Sequence, residues 1–426
     1  MFKSLRKQDY ILTLLIFILI IIGIISIYST GQSYEGTRQM VFALIGVIVY
    51  FIISSIDYKI YKDKKIQFII YAIIFSLLAL IFILHIRLNN THRWFVIGKI
   101  DIQPSEFAKI VIILVSASFF EVFRKTENTI KKIGLGFLTI MPIVYLIYKQ
   151  PALGNTIIIL IIWLSIVFAS YYDQKKFIYI ALIFLMSSLL ILPFIGINFF
   201  NTNLNLIFFN VNIFLLLLIL GIIIFLYKKA SKNIYTYLIL FTIIIGILFG
   251  SLFKFVVWDH LLKNYQKNRL IGFLNQSSKL NSTINFQTEQ SKIAIGSGGV
   301  WGKGYLEGTQ SRLNFLPEDT TDFIFATIFE EFGLIGAIIF LTIYLLFLYR
   351  IISILGQTKG RYETLVVVGI LTMIMIQFII NVGMNIGLVP VTGITLPLIS
   401  YGGSSLLTIL VSLGIIQNIH IQRKNY

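Results

Sequence analysis

Asp322 stands where a long polar stretch meets an apolar one, in the string Pro317-Glu318-Asp319-Thr320-Thr321-Asp322-Phe323-Ile324-Phe325. From Phe323 to Tyr349 the sequence is almost wholly apolar, which puts this carboxylate at a bilayer surface. There it can stay ionised, with head groups on one side and water on the other, where a base acting on a lipid-anchored molecule would stand. The same residue also reads as a carboxylate favoured by the dipole at a helix N-terminus, with Thr320 or Thr321 as alternative caps. Glu106 and Lys109 are three apart, so on a helix they share a face and can pair. Pro104, just before them, suits a first helical turn. Ionisable groups inside a membrane boundary suggest function, and an ion pair that merely orients two helices is the plainer account. Glu330 and Glu331 follow Asp322 by about two turns, roughly 12 Å deeper by helical rise. Adjacent carboxylates there need a basic partner, a polar cavity or a proton. Lys109 is the lysine expected within a span, so it is expected to contact Glu106 or this pair.

Three further strings offer weaker chemistry. Gln290 to Gly304 is the most loop-like glycine run, whose backbone N–H groups could bind phosphate oxygens while Lys303 adds charge. It is no nucleotide-binding P-loop, because Ser297 takes the first glycine position and Gly304 stands where Ser or Thr must hold magnesium. A tight turn returning the chain to the membrane is the simpler reading. Lys263, Lys267 and Arg269, with Trp258 and Tyr265, read either as snorkelling anchors or as a trap for a diphosphate head group. Pro390 to Ser405 is rich in proline and glycine and breaks the helix between the last two apolar stretches, allowing a re-entrant segment.

These residues must be positioned by membrane helices. Hydrophobic residues make up 57% of the 426 and charged residues 12%, which no soluble fold needs. The absence of cysteine excludes disulfides, thiol catalysis and cysteine metal sites, and the four histidines are scattered. The net charge of +17 invites a nucleic-acid partner, but the Lys and Arg fall mainly in short loops between apolar stretches, the topogenic pattern. The expected fold is an all-α polytopic membrane protein, a single membrane domain over 1–426, with about twelve spans. They run roughly 10–29, 38–56, 66–86, 104–122, 133–148, 155–171, 177–197, 205–227, 234–257, 323–349, 363–388 and 400–419. Charge asymmetry places both termini in the cytoplasm and a large loop, about 258–322, outside.

Taken together the strings resemble the SEDS family (shape, elongation, division and sporulation), the polytopic cell-wall glycosyltransferases, over nearly the whole chain. The resemblance rests on the Arg93-Trp94 loop, Gln103-Pro104-Ser105-Glu106 with Lys109, Gln150-Pro151-Ala152-Leu153-Gly154, and Gln290 to Gly304. It continues through Gly308-Thr309-Gln310-Ser311, Leu316-Pro317-Glu318, Thr321 to Phe325, Glu330-Glu331-Phe332-Gly333 and Leu396 to Ser404. The wording from Gln290 to Glu318 is similar to the elongation branch rather than the division branch. The sequence departs from the family in four places. Ala152 stands where Asp is usual, Thr320 replaces a common His, and Asn275-Gln276-Ser277-Ser278 replaces an Asn-Pro…Asp-Pro phrase. A hydrophobic pair within 177–257 exceeds the usual ten spans.

The resemblance implies polymerisation of lipid II into β-1,4-linked glycan outside the bacterial cytoplasmic membrane, with a class B penicillin-binding protein as transpeptidase partner. It puts the catalytic aspartate on Asp322 and the intramembrane pair on Glu106 and Lys109. Arg93, Trp94, Lys303, Gln310, Arg269, Glu331 and Ser400 are carried over as substrate-binding or supporting residues. Arg93, Lys303 or Arg269 would steady the leaving diphosphate. A divalent cation, magnesium or manganese, could serve there too, held mainly through substrate oxygens. The rival readings are a lipid II flippase, suited by broken helices and buried charge, and a scaffold that only activates its partner.

Overall fold

The computed structural model describes residues 8–83, 93–97, 100–122, 129–150, 152–170, 262–263, 266–267, 269, 273, 282–313 and 315–423. In chain order its elements are α1 (Tyr10–Ser29), α2 (Ser33–Ser55), the single-turn α3 (Lys59–Lys62), α4 (Lys64–Ile83) and a hairpin of β1 (Phe95–Ile97) and β2 (Ile100–Ile102). They continue with α5 (Pro104–Val122), α6 (Thr129–Lys149), α7 (Leu153–Ser170), α8 (Ser282–Gly298), the short α9 (Thr309–Arg312), α10 (Ile324–Leu355), α11 (Arg361–Asn385) and α12 (Gly403–Gln422). The chain divides into two compact units, residues 1–170 with 286–426, and residues 171–285.

Among the described residues, α1, α2, α4, α6, α7, α10, α11 and α12 are long and apolar enough to cross a bilayer. α5 has similar length but carries Glu106, Lys109 and Glu121. These nine helices meet the nine expected spans outside 171–261; the expected spans 177–197, 205–227 and 234–257 lie outside the described residues. The chain is a multi-pass membrane protein. Its apolar residues divide accordingly: α1 buries Leu12, Ile16, Leu19, Gly23 and Ile27 on one face and leaves Tyr10, Leu14, Ile21 and Ile25 exposed on the other. A face that would be a liability in water is the lipid-facing wall of a membrane bundle. α12, by contrast, is buried almost all round, and close packing on α2 uses small residues. A Cβ on Gly414 would come within 3.0 Å of the Tyr50 carbonyl, so the two backbones approach as small-residue interfaces allow.

Polar residues tie the helix ends together. At one end Asp9 caps α1 by accepting the Leu12 N–H (2.9 Å) and takes a forked pair of bonds from Arg350 of α10. Burial pushes the Asp9 carboxyl up, but the Arg350 bond, the Leu12 amide and the charges of Arg350 and His420 outweigh it, leaving its pKa below the usual value. At the same end Asn418 of α12 holds the Ser54 and Ile56 carbonyls where α2 stops, and Arg361 donates to the Ser170 carbonyl at the end of α7 (2.8 Å). At the other end the antiparallel hairpin (Phe95↔Ile102, Val96↔Asp101, Ile97↔Ile100) leads straight into α5. Ser404 fastens it by donating to the Asp101 carbonyl (3.1 Å) and accepting the Gln103 N–H (3.0 Å). That second end gathers the residues with chemistry.

Candidate active site

Asp322 sits in a tight turn rather than in the helix that follows. The amides of Thr321, Asp322 and Phe323 all point at the Glu318 carbonyl (3.3, 3.0 and 3.1 Å). Phe323 then anchors the turn: fully buried, it packs with Leu316, Ala326 and Ala294, with Val391 against them. Burying such a ring contributes on the order of 2 kcal/mol. The re-entrant segment supplies the outer clamps, since Ser400 Oγ donates to the Thr321 carbonyl (2.5 Å) and the Tyr401 N–H to the Thr320 carbonyl (2.8 Å). From α11, Asn381 and Asn385 both donate side-chain N–H groups to the Asp322 carbonyl (2.9 and 3.0 Å). With its backbone held from three sides, the half-buried Asp322 side chain lies beside Gly393, where a Cβ would be 3.5 Å from Oδ2.

The capping roles considered from sequence for Thr320 and Thr321 are corrected. Thr320 Oγ1 donates to Glu35 (2.6 Å) and Thr321 Oγ1 to Glu318 (3.1 Å). Phe323 takes the cap position of α10 without a side-chain bond, and Asn385 Oδ1 accepts the Ala326 N–H (3.0 Å) from across the interface. Next to Asp322's turn, Asp319 is almost wholly buried, accepting from Gln32 (3.1 Å). Burial pushes Asp319 up to about 7, the Thr320 amide opposing and Glu35 adding to the rise.

Glu106 and Lys109 form the pair that their spacing predicts, at 2.7 Å, with Lys109 fully buried. The second carboxylate oxygen accepts from Asn155 on α7 (3.1 Å), which also donates to Ser105 (3.2 Å). Each charge in this low-dielectric place therefore meets a partner, as burial demands. The Asn155 neighbour Gly154 abuts Thr392 and Ile394 (a Cβ would be 3.1 Å from the Thr392 carbonyl), while Gly393 between them abuts Asp322. One short segment thus lies beside both the Asp322 carboxylate and the helix end that carries the Glu106–Lys109 network.

Glu330 finds its basic partner elsewhere. Lys303 Nζ pairs with Glu330 Oε1 at 2.7 Å, and the amides of Thr309, Gln310 and Ser311 aim at the same carboxylate (2.8, 2.9 and 3.1 Å). The Gly308-Thr309-Gln310-Ser311 motif is therefore an anion cradle, occupied by this buried side chain. The Gln290–Gly304 run, read from sequence as a loop, is helical as far as Gly298. Its remaining amides do not face an open phosphate nest: Lys303 N–H donates to the Glu330 carbonyl and Gly304 N–H to the Glu331 carbonyl (both 3.0 Å). In return the Gly299 and Val300 carbonyls accept from Leu334 and Ile335 (3.0 and 3.2 Å). These are the groups that α10 leaves unpaired where it breaks at Gly333 (φ 65, ψ −164), a backbone geometry open essentially to glycine alone. Gly302 lies against Gly333 so closely that a Cβ on either would overlap the other's backbone. The glycine run repairs the break.

The remaining residues named from sequence have other tasks. Arg93 Nε donates to the Gln150 carbonyl (3.0 Å), and Arg93 and Trp94 are half-buried. Gln310 serves Glu330 through its backbone, and Ser400 serves Thr321 and Leu396. Glu331 is buried near Ser29 and Leu306. Arg269 belongs to the second unit. Among the described residues no three His, Asp or Glu side chains gather into a metal site. Sequence reasoning missed Asn155, Asn381 and Asn385; the signal for the last two is a pair of amides four apart on an apolar helix.

A family model described as cell cycle protein, of the FtsW, RodA and SpoVE type, matches residues 9–210 and 202–425. The peptidoglycan glycosyltransferase RodA of Treponema pallidum is 34% identical, with 99% of each chain covered. The peptidoglycan glycosyltransferase MrdB of Escherichia coli is 27% identical over 98% of this chain and 94% of its own. Two solved structures share the fold. A chain from a peptidoglycan synthase complex, described as coordinating polymerization and crosslinking, superimposes with a TM-score of 0.71 at 23% identity, covering 98% of this chain and 99% of its own. The rod shape determining protein RodA of Thermus thermophilus gives a TM-score of 0.60 at 21% identity, covering 98% and 97%.

Proposed function

This chain belongs to the FtsW, RodA and SpoVE family, and from that premise we propose that Asp322 is the base of a peptidoglycan glycosyltransferase. The activity is that of the relatives just described, and their RodA and MrdB names put the chain in the elongation branch. The observation that carries the site assignment is the treatment of Asp322. Its backbone is gripped by Asn381, Asn385 and the adjoining Ser400 and Tyr401 bonds, while its carboxylate is left half-exposed beside Gly393.

The substrate is lipid II and the reaction inverts the sugar. Asp322 takes the proton from the acceptor's 4-hydroxyl as that oxygen attacks the anomeric carbon of the donor. The bond from that carbon to the lipid diphosphate breaks, and the diphosphate leaves with the electron pair. Lys303 is committed to Glu330, so charge on the diphosphate falls to Arg93, the other cation of this unit named from sequence. Gly154, next to the Asn155 that bonds Glu106, packs against the 392–394 segment. Both termini are cytoplasmic, the Asp322 end is external, and a class B penicillin-binding protein supplies crosslinking. Replacement Asp322→Asn keeps the size of the side chain and removes the base, so polymerisation of lipid II falls about 10²–10⁴-fold. A wild-type rate overturns the assignment.

The buried Glu106–Lys109 pair also suits a lipid II flippase. Liposomes loaded with labelled lipid II separate the two: translocation without polymer favours transport.

A further inference from the structure

α11 is apolar along most of its length, yet near its last turn two asparagines, Asn381 and Asn385, stand four residues apart and fully buried. Neither is an incidental polar residue. Asn381 Nδ2 donates to the carbonyls of Asp322 (2.9 Å) and Ile394 (2.8 Å), joining the aspartate's turn to the 392–394 segment beside its carboxylate. Asn385 Nδ2 donates to the Asp322 carbonyl (3.0 Å) and the Asn381 carbonyl (2.8 Å), while its Oδ1 accepts the Ala326 N–H (3.0 Å). The Asn385 carbonyl in turn accepts Ser291 Oγ of α8 (2.8 Å). One carbonyl oxygen thus has both lone pairs filled by amides from a neighbouring helix, and the helix after it is capped by the same neighbour.

We propose that Asn381 and Asn385 are positioning residues that set the direction of the Asp322 carboxylate by gripping the Asp322 carbonyl and the segment beside it. The inference rests on the reading of Asp322 as base. The carbonyl and the Cβ leave the same backbone unit, so fixing the first leaves the side chain little freedom beyond its own rotamers. The 392–394 segment that Asn381 also holds lies beside the carboxylate, so one side chain fixes both the base and its neighbour. A misplacement of about 1 Å in such a group typically costs about 10²-fold in rate.

The test is lipid II polymerisation by the full-length chain with its transpeptidase, for Asn381→Ala, Asn385→Ala and Asn385→Asp. Asn385→Asp keeps the oxygen that caps α10 and loses the amide that holds the Asp322 and Asn381 carbonyls, so it reads positioning if the alanine variants fail to fold. Each is expected to lower kcat about 10–10²-fold while the KM for lipid II and assembly of the complex stay near wild type. In the Asp322→Asn background the same changes are expected to add less than about 2-fold, because they act through a base no longer there. Full additivity on top of Asp322→Asn, or a loss confined to KM, overturns the proposal. A wild-type kcat in the asparagine variants alongside an inactive Asp322→Asn protein sinks the positioning role and leaves the base standing. A wild-type rate for Asp322→Asn itself removes the premise.

Discussion

Replacing Lys303 by methionine keeps the length and apolar stem of the side chain and removes its charge. It separates the two roles that the glycine run suggests, capture of a diphosphate and support of the fold. Glu330 has no exposed side-chain surface and Lys303 is 23% exposed, so the change strands a carboxylate that water reaches poorly. Breaking a buried pair on one side typically costs 3–5 kcal/mol. Here the three amides of Thr309, Gln310 and Ser311 and the Ser311 hydroxyl remain, and they keep solvating the anion. The expected loss is therefore smaller, about 2–3 kcal/mol, the value of one charge-assisted bond. Equilibrium unfolding of the full chain in mixed micelles reads it directly. Lys303→Arg, which keeps the cation, should lose less than half as much. An unchanged unfolding midpoint for Lys303→Met, together with a raised KM for lipid II, would refute the reasoning and return Lys303 to the substrate.

Three further changes probe the same end of the bundle. Gly302→Ala puts a methyl into the Glu331 carbonyl at a backbone angle (φ 82) that L-residues avoid, and should cost at least about 2 kcal/mol; Gly296→Ala, exposed on α8 with nothing near it, should be neutral or stabilising by a few tenths in the same unfolding assay. The raised Asp319 makes folding favour its protonated form, so its contribution is complete below the ordinary carboxylate pKa of 3.8 and is lost as pH rises to about 7. The rise corresponds to at most about 4 kcal/mol. Asp319→Asn should flatten the wild-type decline in stability between those pH values, and an unaltered slope would show that Asp319 ionises normally.

The helices and the Glu106–Lys109 pair were legible because their signals are local. Apolar runs of bilayer length give the spans, and the three-residue spacing of Glu106 and Lys109 gives their pair. What stayed hidden was the partner of each polar group across long stretches of chain. Glu330 and Lys303 are 27 residues apart, and nothing local favours that pairing over one with Lys109. The glycine run was readable as unusual backbone, but whether its amides face a phosphate or a broken helix depends on Gly333, thirty residues on. Asn381 and Asn385 were overlooked because their targets are main-chain groups, which leave no mark in a side-chain pattern.

The backbone bonds between 299–304 and 330–335 have a consequence for how the chain is cut or stretched. They close a ring of about thirty residues whose two ends meet at one place, with Asp322 on its arc. A protease that nicked the exposed stretch around Tyr305 and Leu306 would leave both fragments fastened at the junction. A residue inserted between Glu318 and Asp322, by contrast, would have to be absorbed by the aspartate's own turn, whose amides all meet the Glu318 carbonyl. Natural variation in length should be tolerated around Tyr305 and Leu306 and scarce between Glu318 and Ile335.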